Sequence, residues 1–450
     1  MVASFASRGF DVIGVDINQA AVDAVNAGRA PVQETNLGET LLANLTRIRA
    51  TRSHAEAVSQ SDISFVIVPT PSDERGSFSL QYAEWAFQEI GRALRRKKGY
   101  HNVVLTSTVL PGATRYSLIP ILERESGKTV GRDFGVCYSP EFIALGSIIH
   151  DFLNPDFTLI GEFDTRSGDH LADVYERTVE NEARSARMTL ENAELTKISI
   201  NTFVTTKITF ANMLAEICEN LPGGNVDAVT SALGLDARIG RKYLTGAIGY
   251  GGPCFPRDNV ALSFIARELD VEASIAETTD TMNRAMADKI AKKALPLLRK
   301  GSTVVVLGLS YKPYSHVTEE SQGVYLARLL SQSGLRVVAF DPMSKEMEIG
   351  DLRSEIVIFD SIDDCLKQAE AVFITTPDPL FVDLTAADFD NEWPKVTVFD
   401  FWRILFDRLS DSPRIRYIGT GLGDMNEANS ERLRHLWQGI PGQAKGTGSE

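Results

Sequence analysis

Cys254 is the side chain with the clearest capacity for covalent chemistry. It lies in the segment GGPCFPRD, residues 251–258, where glycines and prolines argue against a buried strand or helix and let a ligand approach the backbone. Most lone cysteines are buried and inert, but the neighbouring Arg257 favours a thiolate here. The segment therefore predicts a nucleophilic thiol, followed four residues later by the carboxylate of Asp258.

A cation and an amide share one face of a long predicted helix. Lys197 and Asn201 are four residues apart, so their side chains project in the same direction. Spacing alone favours an ordinary solvated helix face. The presence of Cys254 in the same chain changes that balance in favour of a functional pair.

Two polar loops follow predicted strands. Thr108 lies in the loop STVLPG, residues 107–112, and Glu141 lies in SPEF, residues 139–142. Taken singly, either residue could belong to an ordinary turn. Together they place a hydroxyl and a carboxylate where a water molecule could be held.

The elements that must position these groups follow an α/β pattern in the first third. Short apolar runs at 11–16, 63–68 and 102–108 read as parallel strands buried on both faces, separated by helical patterns. Polar or proline-containing turns follow these runs, at the carboxyl edge where open α/β sheets bind ligands. Residues 1–190 are therefore predicted to form a Rossmann-like domain.

The rest of the chain predicts a helical middle and a second Rossmann-like domain. Helices over 192–220 and 274–300 belong to a central domain, 191–300, and strands at 303–308, 337–341, 372–376 and 396–400 belong to a domain over 301–425. The fold class is thus α/β, with two doubly wound domains joined by a helical domain. The polar residues 426–450 are predicted to be a disordered tail.

Composition narrows the partners. The 450 residues carry 46 Lys and Arg against 60 Asp and Glu, a formal charge of −14, which disfavours nucleic acid and anionic membrane surfaces. The cysteines are widely spaced and form no C-x-x-C pair, so we expect no disulfide framework and no metal site. With no apolar run approaching a membrane span, a cytoplasmic location is expected. The four cysteines are Cys137, Cys218, Cys254 and Cys365, and the three other than Cys254 are predicted to be buried and inert.

With these segments in order, the sequence resembles the UDP-glucose/GDP-mannose dehydrogenase family from Phe5 to about Gly423. A chance glycine-rich loop would not bring the other motifs with it. The motifs that carry the resemblance are VIVPTP at 66–71, STV at 107–109, SPEF at 139–142, KxxxN at 197–201, GGxCFPRD at 251–258 and GLxYKP at 308–313.

The resemblance implies roles for the reacting groups. Cys254 looks like the nucleophile, and Lys197 and Asn201 look like the oxyanion stabilisers. Asp258, Thr108 and Glu141 would order and activate water. In such chemistry a thiolate adds to the aldehyde formed by a first oxidation, the adduct loses a second hydride, and the thioester is hydrolysed to the acid.

The resemblance also implies the ligands and their binding residues. NAD is the implied cofactor and a nucleotide sugar the implied substrate, with a homodimer formed through the central domain. The implied NAD-binding residues are Asp16, Thr70, Thr108 and Arg257. The implied substrate-binding residues are Glu141, Lys197, Asn201, Arg238, Tyr243, Gly251, Lys312 and Arg403, of which Arg238 resembles an arginine that reaches the sugar of a partner subunit.

The cofactor half departs from the family pattern. A dinucleotide site opens with a strand and G-x-G-x-x-G about 20 residues before an acidic residue, yet only fifteen residues precede Asp16 and residues 1–8 read as the later turns of a helix. Leu145 and Glu319 stand where many members have Glu and Arg. The expectation is a natural chain with roughly 10 to 25 additional residues that contain the glycine loop.

Two other functions remain open from the sequence. One is a single-step dehydrogenase of the 6-phosphogluconate or 3-hydroxyacid type, which needs no thiol. The other is a nucleotide-sugar-binding homologue that binds NAD poorly and has lost its activity. The sequence does not choose among UDP-glucose, UDP-N-acetylhexosamines and GDP-mannose, although a UDP-sugar is the expected class.

Overall fold

The computed structural model describes residues 1–143, 146–347 and 349–438. Contacts divide the chain into two compact units. The N-terminal unit comprises Met1–Asn201 with Val260–Ala273, and the C-terminal unit comprises Thr202–Asn259 with the chain from Ser274 onward. The predicted central domain is therefore shared between the two units. Leu145 lies outside the described residues.

The N-terminal unit contains two parallel-type sheets. A two-stranded sheet pairs β1 (Val12–Val15) with β2 (Ile48–Thr51). A five-stranded sheet has the order β3-β4-β5-β6-β7, parallel except for the antiparallel pair β5–β6. Its strands are β3 (Ile63–Val66), β4 (Asn102–Leu105), β5 (Gly135–Tyr138), β6 (Phe157–Glu162) and β7 (Arg184–Thr189).

Eight α-helices accompany these sheets in the described part of the unit. They are α1 (Val2–Ser7), α2 (Gln19–Asn26), α3 (Leu37–Ala43), α4 (His54–Gln60), α5 (Gln81–Leu94), α6 (Ile119–Ser126), α7 (Ile148–Leu153) and α8 (Thr165–Thr178). The helical character predicted for residues 1–8 is confirmed by the first helix, α1. A single π turn, Thr114–Leu118, leads into α6.

The middle of the chain is helical, as predicted. Its helices are α9 (Leu190–Glu219), α10 (Val226–Leu235), α11 (Phe255–Glu268), α12 (Ser274–Arg284) and α13 (Met286–Ala294). The helical stretch predicted from about Ser274 to Lys300 is present as two α-helices that meet at Ala285 and a final 3-10 turn, Leu295–Leu297. Pro296 in that turn has no N–H to continue an α-helical ladder.

The C-terminal unit holds a fully parallel six-stranded sheet of order β10-β9-β8-β11-β12-β13. The predicted runs form strands because their Val, Ile and Phe side chains are buried on both faces. The strands are β8 (Thr303–Leu307), β9 (Arg336–Phe340), β10 (Val357–Ile358), β11 (Ala371–Ile374), β12 (Val396–Asp400) and β13 (Ile415–Gly419). The predicted α/β class with two Rossmann-like domains is confirmed.

The remaining helices of this unit are α14 (Gln322–Gln332), α15 (Leu352–Glu355), α16 (Ile362–Leu366), α17 (Pro379–Val382), α18 (Phe406–Leu409) and α19 (Glu427–Gln438). Of these, α14 and α19 are the longest. The tail over 426–450 is predicted to be disordered, which is wrong for 427–438, where α19 is helical, while residues 439–450 lie outside the described residues. Asn426 caps α19 by accepting the Asn429 N–H at 2.8 Å, and Glu427 pairs with Arg434 at 2.8 Å. No helix in the described ranges is long and apolar enough to cross a bilayer.

Candidate active site

The thiol loop of the C-terminal unit needs its two glycines. A Cβ at Gly251 would lie 2.5 Å from the Glu320 carbonyl oxygen. Gly252 has φ +84, and a Cβ there would lie 2.7 Å from the ring of Tyr311. The Gly252 N–H also donates to the Glu319 carbonyl at 2.9 Å. The backbone is therefore held close against residues 311–320 with no room for a side chain.

Cys254 is exposed and stands immediately before α11. The Asp258 N–H donates to the Cys254 carbonyl at 2.9 Å, which begins the helical hydrogen-bond ladder. The amino end of a helix carries partial positive charge and stabilises a thiolate. Tyr311 lies close enough that burial and the charge of Cys254 together raise the pKa of its phenol to about 12.

Charged residues flank the thiol in the same unit. Asp258 is almost completely buried, and Arg257 Nε lies 3.5 Å from its Oδ1. Lys312 places its ammonium 5.7 Å from the centre of the ring of Tyr311, the residue that lies against Gly252. The structure thus brings Arg257, Asp258 and Lys312 into the surroundings of the loop that carries Cys254.

Two asparagines that the sequence analysis missed hold this loop. Asn283 accepts the Tyr250 N–H at 2.8 Å and donates to the Tyr250 carbonyl at 2.9 Å. Asn259 donates to the Tyr250 hydroxyl at 3.0 Å. Tyr243, in the left-handed region at φ +65, packs edge-on against Phe255. Asn283 could not have been found from the sequence, since it is 33 residues from its partner.

In the N-terminal unit, α9 contacts the loop after β5. Lys197 is buried, and its Nζ donates to the Glu141 carbonyl at 2.5 Å and lies 4.4 Å from the centre of the Phe142 ring. Asn201 follows one turn later on the same helix. Burial raises the pKa of the Glu141 carboxyl to about 7, although the ammonium group of Lys197 lowers it.

The loops after β3 and β4 are tied together. The Thr70 hydroxyl donates to the Thr108 carbonyl at 2.8 Å. The Ser107 hydroxyl accepts the Val68 N–H at 2.8 Å and donates to the Val68 carbonyl at 2.7 Å. These bonds fix the carboxyl ends of two neighbouring parallel strands, so Thr70 and Thr108 occupy defined positions at the carboxyl edge of the sheet, the edge at which open α/β sheets generally bind ligands.

Three family models match consecutive segments of the chain. They describe the NAD-binding, central and UDP-binding domains of the UDP-glucose/GDP-mannose dehydrogenase family, and they match residues 1–179, 191–285 and 305–407. UDP-glucose 6-dehydrogenase AglM of Haloferax volcanii is 34% identical over 384 residues, covering 84% of this chain and 88% of that protein. The chain belongs to the UDP-glucose/GDP-mannose dehydrogenase family.

Other members of the family show the same breadth of similarity. GDP-mannose 6-dehydrogenase of Pseudomonas aeruginosa is 34% identical over 396 residues, covering 84% of this chain and 89% of that protein. The solved structure of a UDP-glucose dehydrogenase from Pyrobaculum islandicum is 33% identical and superimposes with a TM-score of 0.81 over 94% of each chain. The protein is therefore an NAD-dependent dehydrogenase that acts on a nucleotide sugar.

The residues of this family member fit NAD at two places. Asp16 is exposed directly after β1, where its carboxylate can accept a ribose 2′-OH, and its Oδ1 accepts the Asn18 N–H at 2.8 Å. At the end of β4, the Thr106 hydroxyl is buried without a hydrogen-bond partner among the described residues, next to the loop of Thr108. The six-residue helix α1 itself contains no glycine.

Two arginines predicted to bind substrate differ in their surroundings. Arg238 is 89% exposed in its side chain and pairs with Asp236 at 2.6 Å. Arg403 has only 4% of its side chain exposed, and it is paired with Asp227 at 2.6 Å. It also donates to the carbonyls of Gly246, Phe401 and Thr420 at 2.7 to 3.0 Å. Every nitrogen of Arg403 thus has a protein acceptor, which favours an indirect role in substrate binding.

The Arg403–Asp227 pair is expected to stabilise this dehydrogenase. The variant Asp227→Asn should lower the free energy of unfolding by ~1–3 kcal/mol, because a buried guanidinium loses a charged acceptor but keeps three carbonyls. Asp383→Asn is the matched control, since Asp383 is 87% exposed where it pairs with Arg408 and should contribute below about 0.5 kcal/mol. Equal loss of stability in both variants, measured by denaturant unfolding, would contradict this assignment.

Proposed function

We propose that this dehydrogenase oxidises the C6 alcohol of a UDP-sugar to a carboxylate in two steps, with Cys254 as a covalent nucleophile. The observation that carries the proposal is the exposed thiol at the amino end of α11, on a backbone that only glycines permit at 251 and 252. An inert structural cysteine has no need of that exposure. The match of residues 305–407 to a UDP-binding domain supports the UDP-sugar class.

The thiol explains how one site performs two oxidations. The first removes a hydride and a proton from the alcohol and gives an aldehyde, whose trigonal carbon is a poor hydride donor. The Cys254 thiolate then forms a C–S bond to that carbon and leaves an oxyanion, so that the now tetrahedral carbon can release a second hydride and become a thioester. Water attacks the thioester, the C–S bond breaks and the thiolate is regenerated. NAD, when bound, accepts each hydride.

Lys197 and Asn201 are proposed as the donors that stabilise the oxyanions. Their common face on α9 supports this role, as does the burial of Lys197, because a buried ammonium acts in a medium of low dielectric. The bond to the Glu141 carbonyl and the Phe142 ring hold the ammonium in place. Each such donor contributes roughly 3 to 4 kcal/mol to the stability of the transition state.

Asp258, Thr108 and Glu141 are proposed to order and activate the water that hydrolyses the thioester. Glu141 Oε1 is buried with no hydrogen-bond partner among the described residues, which leaves it able to accept a proton from water. Its pKa of about 7 lies near the value at which a general base is most effective at neutral pH.

A pH profile tests the role of Glu141. The base must be ionised to accept a proton, so kcat should rise as the pH passes about 7 and fall below it, where the carboxyl is protonated. The variant Glu141→Gln should have a lower kcat that no longer shows this rise. A profile of kcat against pH with the same midpoint in both proteins would show that another group titrates.

Substrate binding and assembly are proposed to follow the family. The nucleotide sugar would be held by Tyr243, Gly251 and Lys312. Arg403 would act indirectly, by donating a hydrogen bond to the Gly246 carbonyl in the segment between Tyr243 and Gly251. The homodimer would form through the central domain, where Phe203, Phe210 and Ile217 are 66%, 45% and 53% exposed at seven-residue intervals on α9. Arg238, exposed on its loop, would then be reachable by a second copy.

A substrate panel tests the proposal. The protein is incubated with NAD and, in turn, UDP-glucose, a UDP-N-acetylhexosamine and GDP-mannose, and both NADH and the sugar acid are measured. The expected result is NADH with the acid from a UDP-sugar. An aldehyde as the final product would favour the single-step class. Calorimetry that shows UDP binding but no NAD binding would favour the NAD-deficient homologue.

A further inference from the structure

A buried carboxylate with no part in the chemistry above lies near the start of α9. Glu194 is fully buried. Its Oε2 accepts the Gly112 N–H at 2.6 Å, and its Oε1 accepts the Thr114 N–H at 2.9 Å. Both amides belong to the segment that follows Thr108, residues 109–114. A single side chain therefore holds two backbone groups of that segment at once.

The same segment is fixed at its other end. The Thr70 hydroxyl donates to the Thr108 carbonyl, and the side chain of Val109 is completely buried. Thr108 thus lies between an anchor from the β3 loop and an anchor from α9. Residues that flank a reacting group in this way restrict its position to a small range.

Glu194 also shares a helix face with the proposed oxyanion donors. It precedes Lys197 by three residues and Asn201 by seven, so the three side chains project in similar directions from α9. While Lys197 holds the loop after β5 through the Glu141 carbonyl, Glu194 holds the loop after β4. One rigid helix therefore fixes both loops that carry proposed water-activating residues.

Burying a carboxylate carries a desolvation penalty, which a side chain that only fills space would not incur. Burial raises the pKa of Glu194 to about 7 against the lowering effect of the Thr114 side chain and of the Thr114 and Gly112 amides, and the neighbouring Glu191 raises it further. An apolar side chain of similar volume would avoid this penalty. The carboxylate supplies two hydrogen-bond acceptors at a fixed separation, and these fix the positions of the Gly112 and Thr114 amides.

We propose that Glu194 is a positioning residue for the dehydrogenase reaction, which fixes segment 109–114 and thereby the place of Thr108. The inference rests on the proposed function of Thr108. Glu194 would act through Thr108 and the segment that follows it, by its bonds to Gly112 and Thr114.

The test compares Glu194→Gln with Glu191→Gln. Glutamine keeps the shape of Glu194 but turns an NH₂ toward one of the two amide donors, so one anchor is lost. We expect kcat to fall ~10- to 100-fold while KM for the nucleotide sugar stays within about 3-fold, because geometry rather than ground-state binding is altered. Glu191 also contacts this region, through an ion pair with the half-buried Arg115, and its variant should change kcat by less than about 5-fold.

Hydrogen exchange supplies a second readout. Exchange at the amides of Gly112 and Thr114 should accelerate in the Glu194 variant and remain slow in the Glu191 variant. Equal kcat values in the two variants would overturn the inference, as would a loss that appears in KM alone. If Glu194→Gln does not fold, Glu194→Asp, which keeps the charge but withdraws it by one methylene, must show the same selective loss of kcat. An inactive wild-type protein would instead count against the proposed function.

Discussion

The variant Cys254→Ala is expected to form the sugar carboxylate at least ~10³-fold more slowly than the wild-type protein. Without the thiolate, the aldehyde carbon cannot return to a tetrahedral centre that donates a hydride. The variant Cys254→Ser should behave similarly, because a hydroxyl at neutral pH is a far weaker nucleophile than a thiolate. The measurement is the rate of acid formation from the UDP-sugar with NAD in excess.

The control for this prediction is Cys218→Ala. Cys218 lies in the same unit but is 3% exposed, and burial raises its thiol pKa, which disfavours the nucleophilic thiolate. Folded Cys218→Ala should form the acid at the wild-type rate. Acid formation by Cys254→Ser at the wild-type rate would exclude covalent catalysis through this thiol.

The second large effect is expected for Lys197→Met. Methionine retains an aliphatic stem that can pack on Phe142 but removes the ammonium, so kcat should fall ~10²- to 10³-fold, the usual loss for one oxyanion donor. Lys128→Met is a matched control in the same unit, since its Nζ also donates to a backbone carbonyl, that of Lys97, at 2.7 Å. A similar loss in both variants would indicate that Lys197 acts only by holding its loop.

The parts of the fold that the sequence predicted are those that depend on local pattern. The strands β8, β9, β11 and β12 follow from largely apolar runs, because a parallel strand covered on both faces favours apolar side chains in both directions. The exposure of Cys254 follows from the glycines and prolines around it. Both are properties of neighbouring residues, which the sequence displays directly.

The parts that the sequence could not predict depend on distant partners. Arg403 matched a substrate-binding position, yet its guanidinium is occupied by Asp227, 176 residues away in the chain. Glu194 resembled any acidic residue in the first turns of a helix, and only the fold brings Gly112 to its carboxylate. The helix α19 was not predicted because its polar composition is also typical of a disordered tail, although Asn426 is a residue type that caps helices.

The most direct test of the central claim is the ratio of NADH formed to nucleotide sugar consumed. A limiting amount of the active UDP-sugar is converted to completion with NAD in excess, and NADH is counted by its absorbance while the product is identified by mass. Covalent catalysis by Cys254 predicts two NADH per sugar, with the carboxylate as the only product. One NADH per sugar, with an aldehyde or ketone as the product, would contradict it.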